Sequence, residues 1–175
     1  MVHDTVPAGE QLSHLDEDGR PRMVDVSGKA ETYRTAVAEG YVVLDEAVCA
    51  CLAEGRNSKK GDVFRIAETA GIMAVKKTPE LIPLCHGIRI EKAEIRCSLD
   101  EGKKKVCIRC TVAARDVTGV EMEALTGVSA AALTVYDMCK GISKNMVIQD
   151  IRLLKKTGGK SGTYTAGGMS EDADS

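Results

Sequence analysis

Between Val106 and Met138 the apolar residues change from a period of two to a repeat of four, three, four, three. Val106, Ile108, Cys110, Val112 and Ala114 alternate with Arg109, Thr111 and Arg115, the pattern of a strand with one buried face. Ala124, Val128, Ala131, Val135 and Met138 then form one stripe along a helix predicted over about residues 119–141. A half-apolar strand and a single-stripe helix must each hide their apolar side against another element. This run therefore commits the chain to a layer of helix on sheet.

The same two periods recur on both sides of it. In "TYRTAVAEGYVVL", Tyr33, Thr35, Val37, Glu39, Tyr41 and Val43 share one side of a strand, while Val42 and Leu44 open the other. A helical pattern runs from Asp45 through Ala53 and stops at "EGRN". A second helix spans about 59–77, with Asp62 favourable in the first turn, lysines in the last, and Pro79 and Pro83 ending it. "IRIEKAEIRCSLD" and "KKVCIRCTVAARDV" read as two strands joined at "EGK". Thr118 and Glu121 match a T-x-x-E capping box before the long helix. "MVIQDIRLLKK" is a last strand.

The order β, α(α), β, β, α, β predicts an α+β fold: a ferredoxin-like split βαβ sandwich, with an antiparallel sheet and helices on one face. Residues 1–22 read as a flexible N-terminal arm, 23–160 as a single catalytic domain and 161–175 as a flexible C-terminal tail. Tyr41, Val43, Val106 and Ile108 together exceed what one helix layer hides, which predicts an oligomer that packs sheet on sheet.

Composition excludes several classes. Aromatics are 3% of the 175 residues, with no Trp, and none lies in "KKVCIRCTV", so an RNA-reading sheet with stacking aromatics is disfavoured. Net charge is −2 and pI about 6.0, unlike a general nucleic-acid binder. Lysines nevertheless cluster at Lys59–Lys60, Lys76–Lys77, Lys103–Lys105 and Lys155–Lys160, which suits a small polyanion. The N-terminus has no signal-peptide pattern and no apolar run approaches about 20 residues, so a cytoplasmic protein with no membrane segment is expected. Seven cysteines without a second C-x-x-C pair, and no H-E-x-x-H, argue against a structural metal.

Four stretches carry candidate chemistry. Asp137, Lys140 and Lys144 fall in one wedge of the predicted helix, away from the apolar stripe. They form either a surface ion pair or a proton donor held beside a cation. Glu121 is explained as the capping partner. Glu123 has no such role, and could hold an amino-purine edge or serve the helix dipole. In "IPLCHG", Cys85 and His86 precede a strand; His86 is the one histidine outside the N-terminal arm. "KKTGGKSG" fails as a phosphate loop of the G-x-x-x-x-G-K-[ST] type, because position 154 is Leu154 and no helix follows. A lysine-bearing flap or a plain flexible end remain as its readings.

"MVDVSGKAET", "KGDVFRIAETAGI", "LIPLCH", "GVEMEALT", "AALTVYDMCK" and "RLLKKTGGKSG" occur in that order and resemble the cyclic pyranopterin monophosphate synthase family, the C protein of molybdenum cofactor biosynthesis. The resemblance covers about residues 12–164. It departs at Gly87, where the family has proline, and at Asn145. It implies a homohexamer built as a trimer of dimers, with sites at the dimer interface. It also implies a small-molecule substrate, cyclised dihydro-GTP, converted to cyclic pyranopterin monophosphate plus pyrophosphate. By motif, Asp137 is the implied acid/base, with Lys140 and Lys60 as its catalytic companions. Leu84, Cys85, His86, Met122, Glu123 and Glu121 would contact substrate, joined by Lys76 and Lys156, with Arg34, Asp25 and Lys29 as weaker matches. No resident cofactor is implied, and any Mg²⁺ would arrive with the triphosphate. The alternative is a non-catalytic nucleotide-binding module on the same fold, which needs the lysines and Glu123 but has no use for Asp137 beside Lys140.

Overall fold

The computed structural model describes residues 14–16, 18–54 and 61–167. The chain forms β1 (Thr32–Val43), α1 (Glu46–Ala53), α2 (Val63–Lys76), the single turn α3 (Thr78–Leu81), β2 (Ile90–Asp100), β3 (Lys105–Asp116), α4 (Glu121–Cys139), β4 (Val147–Thr157) and β5 (Tyr164–Thr165). All neighbours in the sheet are antiparallel, in the order β2-β3-β1-β4-β5. The first four strands are in the split βαβ order expected from the sequence. β5 adds a strand at residues 164–165, within the span read as tail.

α1 and α2 each start one residue after a capping aspartate, α2 at Val63 and not at the predicted residue 59. The Asp45 carboxylate accepts from the Val48 amide, and Asp62, a cap rather than a first-turn residue, accepts from Phe64 and Arg65 at 3.0 and 3.2 Å. α4 does not use the predicted capping box. Its N-cap is Val120, with no side-chain hydrogen bond. The Glu121 carboxylate instead curls back over Gly119, where a Cβ would stand 1.8 Å from Oε2.

The core lies between one sheet face and the layer of α2 and α4. Val42, Val106, Ile108, Cys110 and Val112 meet Ala67, Val75, Ala124, Val128, Ala131 and Val135, all with at most 1% of their surface exposed. Small residues set the spacing. A Cβ on Gly127 would lie 2.8 Å from Val75 Cγ2 and 2.9 Å from Cys110 Sγ. The two helices therefore cross almost backbone to backbone.

The register corrects the expectation of a surplus apolar face. Val106 pairs with Val42 and Ile108 with Gly40, both on the helix-covered side, whereas Tyr41 pairs with Cys107 on the other. That other face carries Glu39, Arg96, Arg109 and Lys105 around a recess of about 430 Å³, with Lys105 Nζ 3.5 Å above the Tyr41 ring. An apolar surplus therefore does not demand sheet-on-sheet packing. No disulfide joins any two of the seven cysteines; Cys107 and Cys110 point to opposite faces as their spacing predicts.

Topology decides which residues can meet. β1 runs parallel to β2, and β3 to β4, so α2 and α4 are antiparallel. One end of the fold gathers the start of β1, the ends of β3 and β4, the C-terminus of α2 and the N-terminus of α4. The other gathers the end of β1, α1, the N-terminus of α2 and the C-terminus of α4.

Candidate functional site

At the first of these ends, a cleft of about 580 Å³ opens between the segment entering β1, the β3–α4 loop and the β4–β5 loop. Lys29, Arg34 and Lys160 bring positive charge to it, Glu121 negative charge, and Ser161 a hydroxyl. A second cleft of about 640 Å³ adjoins it, lined by Arg152, Lys156 and Tyr164 and sharing Glu121 and Ser161. Both volumes are in the range of small-molecule sites. The β4–β5 loop forms the wall between the two clefts, so "KKTGGKSG" is a built part of the site.

The glycine pair explains how that loop gets there. Gly158 has φ +87° and a Cβ on it would stand 2.4 Å from the Tyr33 carbonyl oxygen; Gly159 has φ +76° and its Cβ would stand 2.3 Å from Arg34 Nη1. Only glycine lets the loop lie against the start of β1. Arg34 is fixed from the opposite side, donating from Nε to the Asp116 carbonyl and from Nη2 to the Val117 carbonyl, each at 2.9 Å. Lys156 is held as well, its ammonium donating to Ser161 Oγ.

The N-terminal turn of α4 contributes two carboxylates in different environments. Glu121 lines both clefts. Glu123 is 2% exposed, and its Oε2 has no hydrogen-bond partner among the described residues. Burial, reinforced by the charges of Glu121 and Asp116, pushes its carboxyl up to about 7, against the pull of its own backbone N–H. The loop carrying Leu84, Cys85 and His86 reaches the same end: burial and the charge of Glu123 raise the Cys85 thiol. Lys76 ends α2 here, and Met122 is 38% exposed beside the two glutamates.

Asp137 and Lys140 do not join this group. Asp137 lies sixteen residues beyond Glu121, about 24 Å along the axis of α4. There Lys140 Nζ donates to Asp137 Oδ1 at 2.5 Å, and this contact raises the Lys140 ammonium. The pair is half-exposed. Lys144 is not in their wedge, because α4 ends at Cys139; the Lys144 carbonyl instead accepts from Tyr136 Oη at 3.1 Å. Lys60 lies outside the described residues.

Nine of the predicted residues therefore occupy one end of the fold, and Asp137 with Lys140 the other. Sequence reasoning missed Ser161, Arg152 and Tyr164. Their signal was faint: a hydroxyl beside a glycine pair, and a two-residue strand too short for any periodicity. Among the described residues no three His, Cys, Asp or Glu side chains gather as a metal site, and no helix is long and apolar enough to cross a membrane.

Comparison with known proteins adds to this geometry. Residues 23–159 match the model of the MoaC family. A cyclic pyranopterin monophosphate synthase of Rhodospirillum rubrum is 52% identical over 164 residues, covering 93% of this chain and 98% of the relative. Synthases of the same name from Pelobacter propionicus (54% over 153 residues; 87% of this chain, 95% of the relative) and Thermoanaerobacter pseudethanolicus (52% over 153; 87% and 96%) are similarly close. The family match spans the segment entering β1, the β3–α4 loop, β4 and the helix bearing Asp137 and Lys140, and stops just short of cleft residues Lys160 and Ser161, so the chain belongs to the MoaC family.

Proposed function

We propose that this protein is a cyclic pyranopterin monophosphate synthase of molybdenum cofactor biosynthesis, converting cyclised dihydro-GTP to cyclic pyranopterin monophosphate and pyrophosphate. The observation that carries the reading is the convergence of Lys29, Arg34, Lys156, Lys160 and Glu121 around paired clefts, with Glu123 buried in the same helical turn, in a chain half identical to proteins of that name.

The residues divide the work by charge. The triphosphate lies along the lysines and Arg34, which stabilise the negative charge that develops as pyrophosphate leaves. Glu121 and Glu123 face the nitrogen-rich edge of the base-derived ring. Glu123, neutral up to about pH 7, can donate as well as accept there. Asp137 and Lys140 exchange protons with ring nitrogens while C–N bonds break and re-form.

One chain cannot bring these groups together, since its two clusters lie at opposite ends of α4. A second copy can. Two-fold packing through the outer helix layer sets two α4 helices antiparallel, so the Asp137–Lys140 end of one meets the glutamate end of the other. Exposed apolar side chains on that layer, Leu133 on α4 and Met73 and Ile66 on α2, supply a surface for such a contact. The proposed unit is thus a dimer with two shared sites, three dimers making the hexamer. No resident cofactor is part of the proposal.

The test is release of pyrophosphate from cyclised dihydro-GTP. Wild type should turn over, and Asp137→Ala should fold normally and lose turnover. Binding of the nucleotide without product over hours would instead identify a non-catalytic module.

A further inference from the structure

Lys156 differs from the other lysines that line the clefts. Lys29 and Lys160 have no side-chain partner among the described residues, whereas the Lys156 ammonium is held by Ser161 Oγ. The two residues are brought together by the hairpin. Lys156 pairs with Tyr164 across β4 and β5, and the Gly162 amide donates to the Gly159 carbonyl at 3.1 Å, which closes the turn that presents Ser161. Ser161 is exposed and borders both clefts, opposite Glu121.

A hydroxyl that accepts one hydrogen bond still has its own proton to give. With Ser161 Oγ accepting from Lys156 Nζ, the Ser161 O–H points its proton away from the ammonium, and two N–H groups of Lys156 stay unused. We propose that Ser161 and Lys156 form one two-donor anion site: Ser161 aims the ammonium and gives its own hydroxyl proton to the same phosphate oxygen. The site would take the terminal phosphates of the substrate and hold them as they leave as pyrophosphate. Ser161 also holds in place a flexible lysine that would otherwise lose much rotamer freedom on binding the anion. The proposal rests on the reading of the clefts as a triphosphate site.

The test is a double-mutant cycle with inorganic pyrophosphate as the probe, its Kd measured by calorimetry on the full chain. Ser161→Ala should weaken binding about tenfold, the effect of one hydrogen bond to a charged group, and lower kcat/KM for cyclised dihydro-GTP in parallel. Ser161→Thr, which keeps the hydroxyl, should stay within about twofold of wild type. In a Lys156→Met background, Ser161→Ala should add less than about twofold, because the two act as a unit. Wild-type affinity in Ser161→Ala, or an undiminished tenfold loss in the Lys156→Met background, would overturn the proposal. The synthase reading fails separately: a wild-type protein that shows the predicted pyrophosphate cycle yet never turns over the substrate retains the anion site and loses the assigned reaction.

Discussion

Replacing Glu123 with glutamine should stabilise the protein at alkaline pH and leave it almost unchanged in acid. Glu123 is buried in the first turn of α4, with one carboxylate oxygen unpartnered among the described residues. Its carboxyl, ordinarily near 4.5, is pushed up to about 7. Below pH 4.5 both folded and unfolded chains hold the proton, and folding carries no penalty. Between 4.5 and 7 the unfolded chain has lost it while the folded chain has not, so stability falls as pH rises. Above 7 both are ionised, and the accumulated penalty is about 3 kcal/mol. Glutamine has nearly the same shape and no charge to bury. The stability difference between Glu123→Gln and wild type should therefore grow by about 3 kcal/mol from pH 4 to pH 8, or roughly 6–12 °C in Tm for a domain of this size. Urea denaturation across that range, at matched protein concentration so that mass action from self-association is held fixed, measures it. A difference that stays flat with pH would refute the burial argument.

Three further outcomes follow from the glycines. Gly127→Ala should destabilise the fold by about 1–3 kcal/mol in denaturant melts, since its Cβ enters the contact with Val75 and Cys110, outweighing the better helix propensity of alanine. Gly158→Ala should leave the core melting transition intact but reduce turnover at least tenfold, because a Cβ there pushes the β4–β5 loop off the Tyr33 carbonyl and displaces Lys156 and Ser161. Gly87→Ala should raise stability by about 0.4–1 kcal/mol, as its backbone is not in the left-handed region and nothing lies within 4 Å of a new Cβ.

The layered fold was legible because the periods of β3 and α4 are long and clean. The strand order followed from the alternation of elements. Legibility failed where one residue can serve two masters. Thr118 and Glu121 have capping-box spacing, yet Glu121 folds over Gly119 because only that glycine leaves room beneath it. Val106 and Tyr41 look equally apolar in sequence, and only the register assigns them to opposite faces. The site was legible in part. Its lysines and glutamates could be picked out as types, and the predicted helix already put Glu121 at its start and Asp137 near its end, but no sequence pattern reports that the clefts form at the Glu121 end alone. The wall between the clefts was least legible, since two glycines and a serine near a chain end look like an unstructured tail until Arg34 and Tyr33 are seen against them.

Subunit mixing tests the shared site most directly. Lys156→Met, at the cleft end of β4, and Asp137→Ala, near the far end of α4, disable the clusters at opposite ends of the fold, and each alone should be inactive in pyrophosphate release. If every site takes one end from each of two chains, a mixed dimer has one doubly disabled site and one intact site. Random assortment makes half of the dimers mixed, so co-expressed variants should recover about a quarter of wild-type activity. Co-expressed variants no more active than either variant alone would contradict a site built across two copies of α4.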